Sequence, residues 1–252
     1  MDFALLFFAG VFGGMLNSIA GGGSFITFPA LMAIGIPPVV ANATNTFASC
    51  AGYISGAWGY RRELYEQKKI VPKTIVFSLI GGMFGAFLLL NTDEADFLTA
   101  IPWLLLFATL LFVFGGAINQ RLSKGKRNKP HPILLCLPAL FLILVSAYGG
   151  FFNAGLGIVT LSYLTLSGHR DIITMNGLKL LISTSVSLVA VIIFTFDGLI
   201  DWWNGFVVML GSITGGYVAA VVVRGVNKIW VHRFVTVTSF AITGYFFVKI
   251  YT

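Results

Sequence analysis

The sequence predicts an all-α integral membrane protein. We expect a polytopic helical bundle of two inverted-topology repeats, with about eight to ten hydrophobic segments that include short or broken helices. Three observations lead to this fold class: the composition is strongly apolar, the apolar residues form long continuous runs, and motifs of the first half recur in order in the second half.

The composition and the apolar runs exclude a soluble domain. Of the 252 residues, 57% are hydrophobic and only 10% are charged, whereas soluble domains carry about 25% charged residues. Continuous apolar runs favour helices over a membrane barrel, whose strands alternate over about ten residues. A full span needs about 20 residues, so most of the runs are long enough and two are short. The runs are 3–20, 24–35, 41–59, 72–90, 98–118, 133–150, 152–167, 172–196, 203–223 and 234–250.

The charged residues divide between the two sides of the predicted membrane. When the segments are threaded alternately, fourteen of the sixteen Lys and Arg residues fall on one side. The other side receives Asp2, Asp93, Glu94, Asp96, Asp197 and Asp201. The positive-inside rule makes the basic side cytoplasmic, which predicts a bacterial inner-membrane protein with both termini outside. The net charge of +7 thus reflects topology rather than a nucleic-acid partner, with attraction to anionic membrane lipids as a second possibility.

Internal similarity divides the chain into two halves. The motif GGMLN at 13–17 recurs as GGFFN at 149–153, an offset of 136. The offset then becomes 134 and later 130, which pairs Gly23 with Gly157, Asn42 with Asn176, Asn45 with Lys179, Ser49 with Ser183, Gly81 with Gly211 and Gly85 with Gly215. We predict a first membrane repeat over 1–119, a basic cytoplasmic linker over 120–132 and a second repeat over 133–252. Each half crosses an odd number of times, so the repeats are inverted, as is typical of secondary transporters.

Glycines interrupt an early segment of each half. Gly21, Gly22 and Gly23 stand together in an apolar run, which predicts a broken helix whose freed amides receive an anion. A tight loop at the membrane surface or close helix packing explains the three glycines equally well. The second half retains Asn153, Gly155 and Gly157. We expect Asn17 and Asn153 to lie at the breaks, where an amide side chain caps exposed backbone or contacts a ligand.

The next helix of each half carries a polar face. Asn42, Asn45 and Ser49 have the spacing i, i+3 and i+7, and the second half repeats it with Asn176, Lys179 and Ser183. Hydrogen bonds between helices are the structural explanation of such faces. A lysine inside an apolar segment costs about 2.5–3.5 kcal/mol even on the lower scales, and such residues face a cavity or a partner. Lys179 is therefore the first candidate for anion binding; the alternative is a shallow lysine that snorkels to the cytoplasmic edge.

The remaining chemistry-bearing residues give few candidates. His169 and Asp171 flank the Lys179 segment and form a possible proton relay, although a solvated loop pair is the commoner arrangement. Three glycine pairs of the type small-xxx-small indicate close helix approach rather than ligand binding: Gly52 with Gly56, Gly81 with Gly85, and Gly211 with Gly215. No phosphate loop, metal-ligand spacing or nucleophile–base pair is present in the sequence. We expect no metal, no cofactor and no enzymatic activity.

Two long stretches resemble the sulfite exporter TauE/SafE family of membrane transporters. They are NSIAGGGSFITFPALMAIGIPPVVANATN in the first half and GGFFNAGLGIVTLSYLTLSGHRDIITMNGLKLLIS in the second. The resemblance implies an exporter or carrier of sulfite or organosulfonates. The Asn42-Ala-Thr-Asn45 run differs from the small-residue and Gly-Thr pattern of many members, which leaves the substrate open. The resemblance to the family implies a sulfur oxyanion as the substrate, whereas the residues alone indicate only a small anion.

These observations predict a secondary transporter that moves a small anion by alternating access, in the export direction. The predicted substrate site combines the broken helices with the two polar faces. It contains Asn17, Gly21, Gly22, Gly23, Asn42, Asn45, Ser49, Asn153, Gly155, Gly157, Asn176, Lys179 and Ser183. A proton is a possible coupling ion. An anion channel is the first alternative, and a membrane-embedded enzyme is a weaker one because no catalytic grouping is found.

Overall fold

The computed structural model describes residues 2–123, 137–169, 171–222 and 228–252. Within these ranges the chain forms eleven helices and no strand. They are α1 (Asp2–Ala20), α2 (Ser24–Ala33), α3 (Pro38–Gly59), α4 (Arg61–Glu66), α5 (Val71–Leu90), α6 (Glu94–Ser123), α7 (Leu137–Phe151), α8 (Leu156–Leu166), α9 (Ile172–Phe196), α10 (Trp202–Val222) and α11 (Lys228–Tyr251). The all-α fold class is therefore confirmed.

Each of the ten predicted apolar segments coincides with one helix, and α4 is the additional element. Of the described helices, three contain stretches long and apolar enough to cross a membrane by the combined criteria of length and hydropathy: Val71–Leu90, Glu94–Leu111 and Ile172–Phe196. The predicted linker over 120–132 begins inside α6, which ends at Ser123. The rest of the linker, 124–132, lies outside the described residues, as do Arg170 and Cys136.

The two short helices reach only part of the way through a bilayer. α2 has 10 residues and α8 has 11, so each is about 15 Å long, against about 30 Å for the hydrocarbon core. α2 folds back along α1: a Cβ on Gly23 would lie 2.9 Å from Asn17 Cβ, and a Cβ on Gly13 would lie 2.6 Å from Thr27 Cγ2. The first broken element is thus a hairpin whose second arm is too short to span.

Helices from the two halves pair closely through small residues. α1 packs along α10, and α7 packs along α5. At each of these contacts a helical glycine lies so close to the facing backbone that a methyl group would collide with a carbonyl oxygen. The four contacts are Gly211 with Phe7, Gly215 with Val11, Gly81 with Ile143 and Gly85 with Ala147. The predicted close approach is confirmed for these glycines, but it is wrong for Gly52, which has nothing within 4 Å.

α3 and α9 pack against each other in the middle of this arrangement. Gly56 of α3 contacts Leu180 of α9, and Gly177 of α9 contacts Tyr60, which follows α3. The two helices therefore run in opposite directions, with the end of α3 beside the start of α9. Their middle turns face each other, and the broken elements pack against them.

Candidate functional site

The two broken elements touch at their glycines. Gly21 and Gly155 both have positive φ angles, +79° and +82°, a conformation that glycine adopts without the steric cost of a Cβ. A Cβ on Gly21 would lie 3.2 Å from Gly157 Cα, and a Cβ on Gly157 would lie 2.9 Å from the Gly21 carbonyl oxygen. The breaks predicted independently in each half therefore meet, backbone against backbone.

Each break leaves backbone amides without an acceptor. In the described ranges, no backbone carbonyl accepts a hydrogen bond from the amides of Gly22, Gly23, Ala154 or Gly155. The residues that precede α2 and α8 provide no side-chain cap either. Helix N-termini carry a partial positive charge and exposed donors, which favours an anion. Two such termini come together here, one from each half.

Asn153 connects the second break to two helices, α3 and α9. Its side chain is 1% exposed. The Tyr53 hydroxyl of α3 donates to Asn153 Oδ1 at 3.1 Å, and Asn153 Nδ2 donates to Ser187 Oγ of α9 at 3.1 Å. The Asn153 backbone amide donates to Asn42 Oδ1 at 3.5 Å. Because Asn42 Nδ2 also donates to the Phe151 carbonyl at 3.0 Å, Asn42 caps the end of α7.

The Tyr53 hydroxyl brings the first break into the same network. The side chains of Asn17, Ser24 and Ser49 also lie around this hydroxyl. The network thus joins both halves through residues that sequence analysis named, Asn17, Asn42, Ser49 and Asn153, together with others that it missed. Asn17 was expected at the break. It lies instead in the last turn of α1, because that helix continues to Ala20.

Sequence analysis missed Tyr53, Ser187, Ser24 and Thr27. Tyr53 continues the face of Asn42, Asn45 and Ser49 by one more turn, and Ser187 is its partner at the offset of 134. Extending the polar face by one turn in each half would have found both. Thr27 donates to Asn45 Oδ1, and no described group accepts from Asn45 Nδ2.

Lys179 is buried without a counter-charge. It is 4% exposed, and no hydrogen bond or ion pair within the described residues engages its ammonium group. Such burial argues against a lysine that snorkels to an exposed surface. Lys179 lies about two turns into α9, and about 12 Å of helix rise separates it from Ser187. It is therefore outside the Asn153 network, and Ser183, whose buried Oγ has no described partner, lies between them.

The other predicted residues stand apart from this network. Asn176 is half-buried, and its side chain makes no hydrogen bond within the described ranges. The Asp171 carboxylate accepts hydrogen bonds from Thr174 Oγ1 at 2.6 Å and Thr174 N at 2.8 Å, which lower its pKa and cap α9. Partial burial lowers the pKa of His169. No hydrogen bond between His169 and Asp171 occurs in the described structure, so nothing there links them as a relay.

Comparison with known proteins identifies the family. The model of the family described as "Sulfite exporter TauE/SafE" matches residues 6–246 of this chain. The chain belongs to the TauE/SafE family. This assignment confirms the resemblance seen in the two sequence stretches. No solved structure matches the chain.

The relatives of this TauE/SafE protein carry transporter names. A "Probable membrane transporter protein" of Haemophilus influenzae is 31% identical over 242 residues, which cover 96% of this chain and 92% of the relative. The "Probable membrane transporter protein YfcA" of Escherichia coli K12 is 32% identical over 213 residues, 84% of this chain and 77% of the relative. The "Probable membrane transporter protein ORF9" of a Sinorhizobium species is 32% identical, with 86% and 81% covered. Family and relatives support an integral membrane transporter of a small molecule.

Proposed function

We propose that this TauE/SafE protein is a secondary transporter that exports a small sulfur-containing anion, such as sulfite or an organosulfonate, by alternating access. The observation that supports an anionic substrate is Lys179, a buried cation with no counter-charge among the described residues. The sulfur oxyanion comes from the family description alone. The transporter class is supported by the family and by the names of the relatives.

The charge balance of the chain favours an anion over a cation. All nine Asp and Glu residues belong to the described ranges, and none of them is buried. A buried ammonium without a carboxylate partner is costly, and an anionic substrate supplies the missing charge. Amides at both breaks and Asn45 Nδ2 offer further donors. In the proposed site, Lys179 supplies charge and Ser183, one turn further along α9, supplies a hydroxyl group.

The helix pairing supports two inverted repeats. The contact of Gly211 with Phe7 has a counterpart in the contact of Gly81 with Ile143: the glycines are 130 residues apart and their partners 136. The contacts of Gly215 with Val11 and of Gly85 with Ala147 are related by the same two offsets. Inverted repeats with broken helices at their interface are typical of secondary transporters that open to each side in turn. We propose that the halves move against each other around the contact of Gly21 with Gly157.

The proposal extends to orientation and coupling. The bias of Lys and Arg supports a bacterial inner-membrane protein with both termini outside. A proton gradient is the proposed driving force. Because Asp171 caps α9 in the structure, the proposed relay through His169 and Asp171 has less support than the anion site.

Flux measurements in proteoliposomes test the proposed function. Sulfite, sulfoacetate and thiosulfate are offered to inside-out oriented protein with and without a pH gradient. We expect saturable flux of at least one of these anions. Unsaturable flux without countertransport would identify a channel instead, and chemical conversion of the anion would identify an enzyme.

Substitution of Lys179 tests the anion site. Loss of a charge-assisted hydrogen bond of about 1.5–3 kcal/mol should raise KM for the anion roughly tenfold to a hundredfold in Lys179→Ala. Lys179→Arg should retain part of the affinity. Lys249→Ala is the matched control, because Lys249 lies near the end of α11 over the exposed ring of Tyr245. Unchanged flux in Lys179→Ala would remove Lys179 from the site.

A further inference from the structure

The end of α3, the start of α5 and the connection between them present a basic surface, here called the basic corner. Its cations are Arg61, Arg62, Lys68, Lys69 and Lys73, and its aromatic residues are Trp58 and Tyr65. All five cations are exposed. Trp58 is 70% exposed and Tyr65 is 72% exposed. Aromatic side chains of this kind are enriched where a membrane meets water.

Two cations of the basic corner lie against aromatic rings, and none of the five forms an ion pair within the described structure. Arg61 Nη1 donates to the Trp58 carbonyl at 3.2 Å, and its guanidinium lies 5.5 Å from the centroid of the Trp58 ring. The Lys68 ammonium lies 5.4 Å from the centroid of the Tyr65 ring. Glu63 and Glu66 are close in sequence, yet no ion pair joins them to these cations in the described structure. The positive charge therefore remains available to a ligand.

Apolar residues fix the basic corner to the bundle. Leu64, Ile70 and Val71 pack against the buried cluster formed by α7, α8 and α9. Leu64 Cγ lies 3.6 Å from the position of a Cβ on Gly177. The outward residues Arg61, Arg62 and Tyr65 line a shallow groove together with Glu66. A site with a fixed inner face can hold a headgroup in one place, which a flexible basic loop cannot do.

We propose that the basic corner binds the headgroup of an anionic phospholipid, with the phosphate between Arg61 and Arg62. Guanidinium groups match phosphate oxygens through paired hydrogen bonds. Trp58 and Tyr65 lie beside the phosphate, where the glycerol and upper acyl chains of a lipid contact aromatic rings. A zwitterionic lipid fits less well, because its own ammonium group cancels the charge that the arginines attract. This inference is independent of the transported substrate.

Lipid retention by the purified full-length protein tests the proposal. Protein in neutral detergent is supplied with equal amounts of phosphatidylglycerol and phosphatidylcholine, and the lipids that remain bound are measured by native mass spectrometry. We expect preferential retention of phosphatidylglycerol. Each arginine removed should weaken it about fivefold, as expected for about 1 kcal/mol per basic residue. Arg61→Gln/Arg62→Gln should therefore lose the preference, whereas Lys249→Gln, which removes a cation stacked on Tyr245, should keep it.

Three results would overturn the assignment: equal retention of the two lipids, an unchanged preference in Arg61→Gln/Arg62→Gln, or an equal loss in Lys249→Gln. A separate arm adds inorganic phosphate without lipid. If phosphate alone binds as tightly and depends on the same arginines, the site takes a soluble phosphate and the lipid assignment is wrong. Unfolding midpoints of the variants in phosphatidylcholine establish that they remain folded.

Discussion

At the second break, the side chain and the backbone amide of Asn153 are all engaged in described hydrogen bonds. Its three hydrogen-bonding groups each contact a different residue: Tyr53, Ser187 and Asn42. In an apolar environment an amide without partners is costly, so this pattern holds Asn153 in one orientation. The residue therefore fixes the backbone that begins α8.

We expect Tyr53→Phe to destabilise the fold by about 1 kcal/mol, because Asn153 Oδ1 loses its described donor. Chemical denaturation in detergent measures this change. Tyr245→Phe is the control, since the Tyr245 side chain is 57% exposed, and it should leave the midpoint unchanged. An equal effect of the two substitutions would show that the Tyr53 hydroxyl does not support Asn153.

At the residue scale, the sequence pointed to part of the candidate site, whose role in binding stays a prediction. Asn42, Asn153 and Lys179 could be predicted because polar residues in apolar helices need a partner or a ligand. Tyr53 was missed because the polar face of α3 was not extended by one more turn, and a tyrosine in a membrane segment also fits a lipid interface. The sequence also could not predict that Lys179 lies apart from Asn153, because their separation depends on how the helices are staggered.

The short helices α2 and α8 define the element scale. A glycine with positive φ directly precedes α8 and another lies three residues before α2, and both helices end after about three turns. The sequence predicted the breaks from the glycines. The predicted apolar runs 3–20 and 133–150 end within one residue of the ends of α1 and α7. The cap that Asn42 places on α7 was not predicted, because it depends on a contact between two helices.

Three alanine substitutions separate backbone strain from crowding at the breaks. Gly21→Ala introduces both, because Gly21 has positive φ and contacts Gly157. Gly35→Ala introduces strain alone, since Gly35 has φ of +89° and nothing within 4 Å, and Gly157→Ala introduces crowding alone. We expect Gly35→Ala to cost about 1 kcal/mol of stability and to preserve anion flux.

Gly21→Ala and Gly157→Ala should both reduce flux, with the larger loss of stability in Gly21→Ala. Unfolding midpoints and proteoliposome flux measure the two effects. If Gly157→Ala transports at the wild-type rate, close contact between the breaks is not needed for the cycle.

At the scale of the whole molecule, helix pairs from the two halves hold the bundle together. The pairing of α1 with α10 uses positions equivalent, by the sequence offsets between the halves, to those that pair α7 with α5. Without water between helices, such association depends on close packing of small residues. The sequence predicted the fold class and the glycine contacts from composition and spacing. It did not predict α4, because a short polar helix leaves no apolar pattern.

We expect Gly85→Ala and Gly215→Ala to destabilise the protein by similar amounts, about 1–3 kcal/mol each. Each new methyl group would collide with a backbone carbonyl, of Ala147 and of Val11 respectively. Gly244→Ala is the control because nothing lies within 4 Å of that position. Thermal unfolding in detergent provides the comparison. Very different values for the two glycines would argue against equivalent interfaces.

The unequal pair of Asn45 and Lys179 has an evolutionary consequence under the proposed duplication. A transporter assembled from two identical chains must carry the same residue at both positions, and so holds either two lysines or none. Fusion of the two copies removes that restriction, and a single cation becomes attainable. Gly21 and Gly157, in contrast, contact each other directly, so drift at one position is limited by the other. Under that duplication, the fused chain can change the residues of the proposed ligand site while the contact of Gly21 with Gly157 is kept.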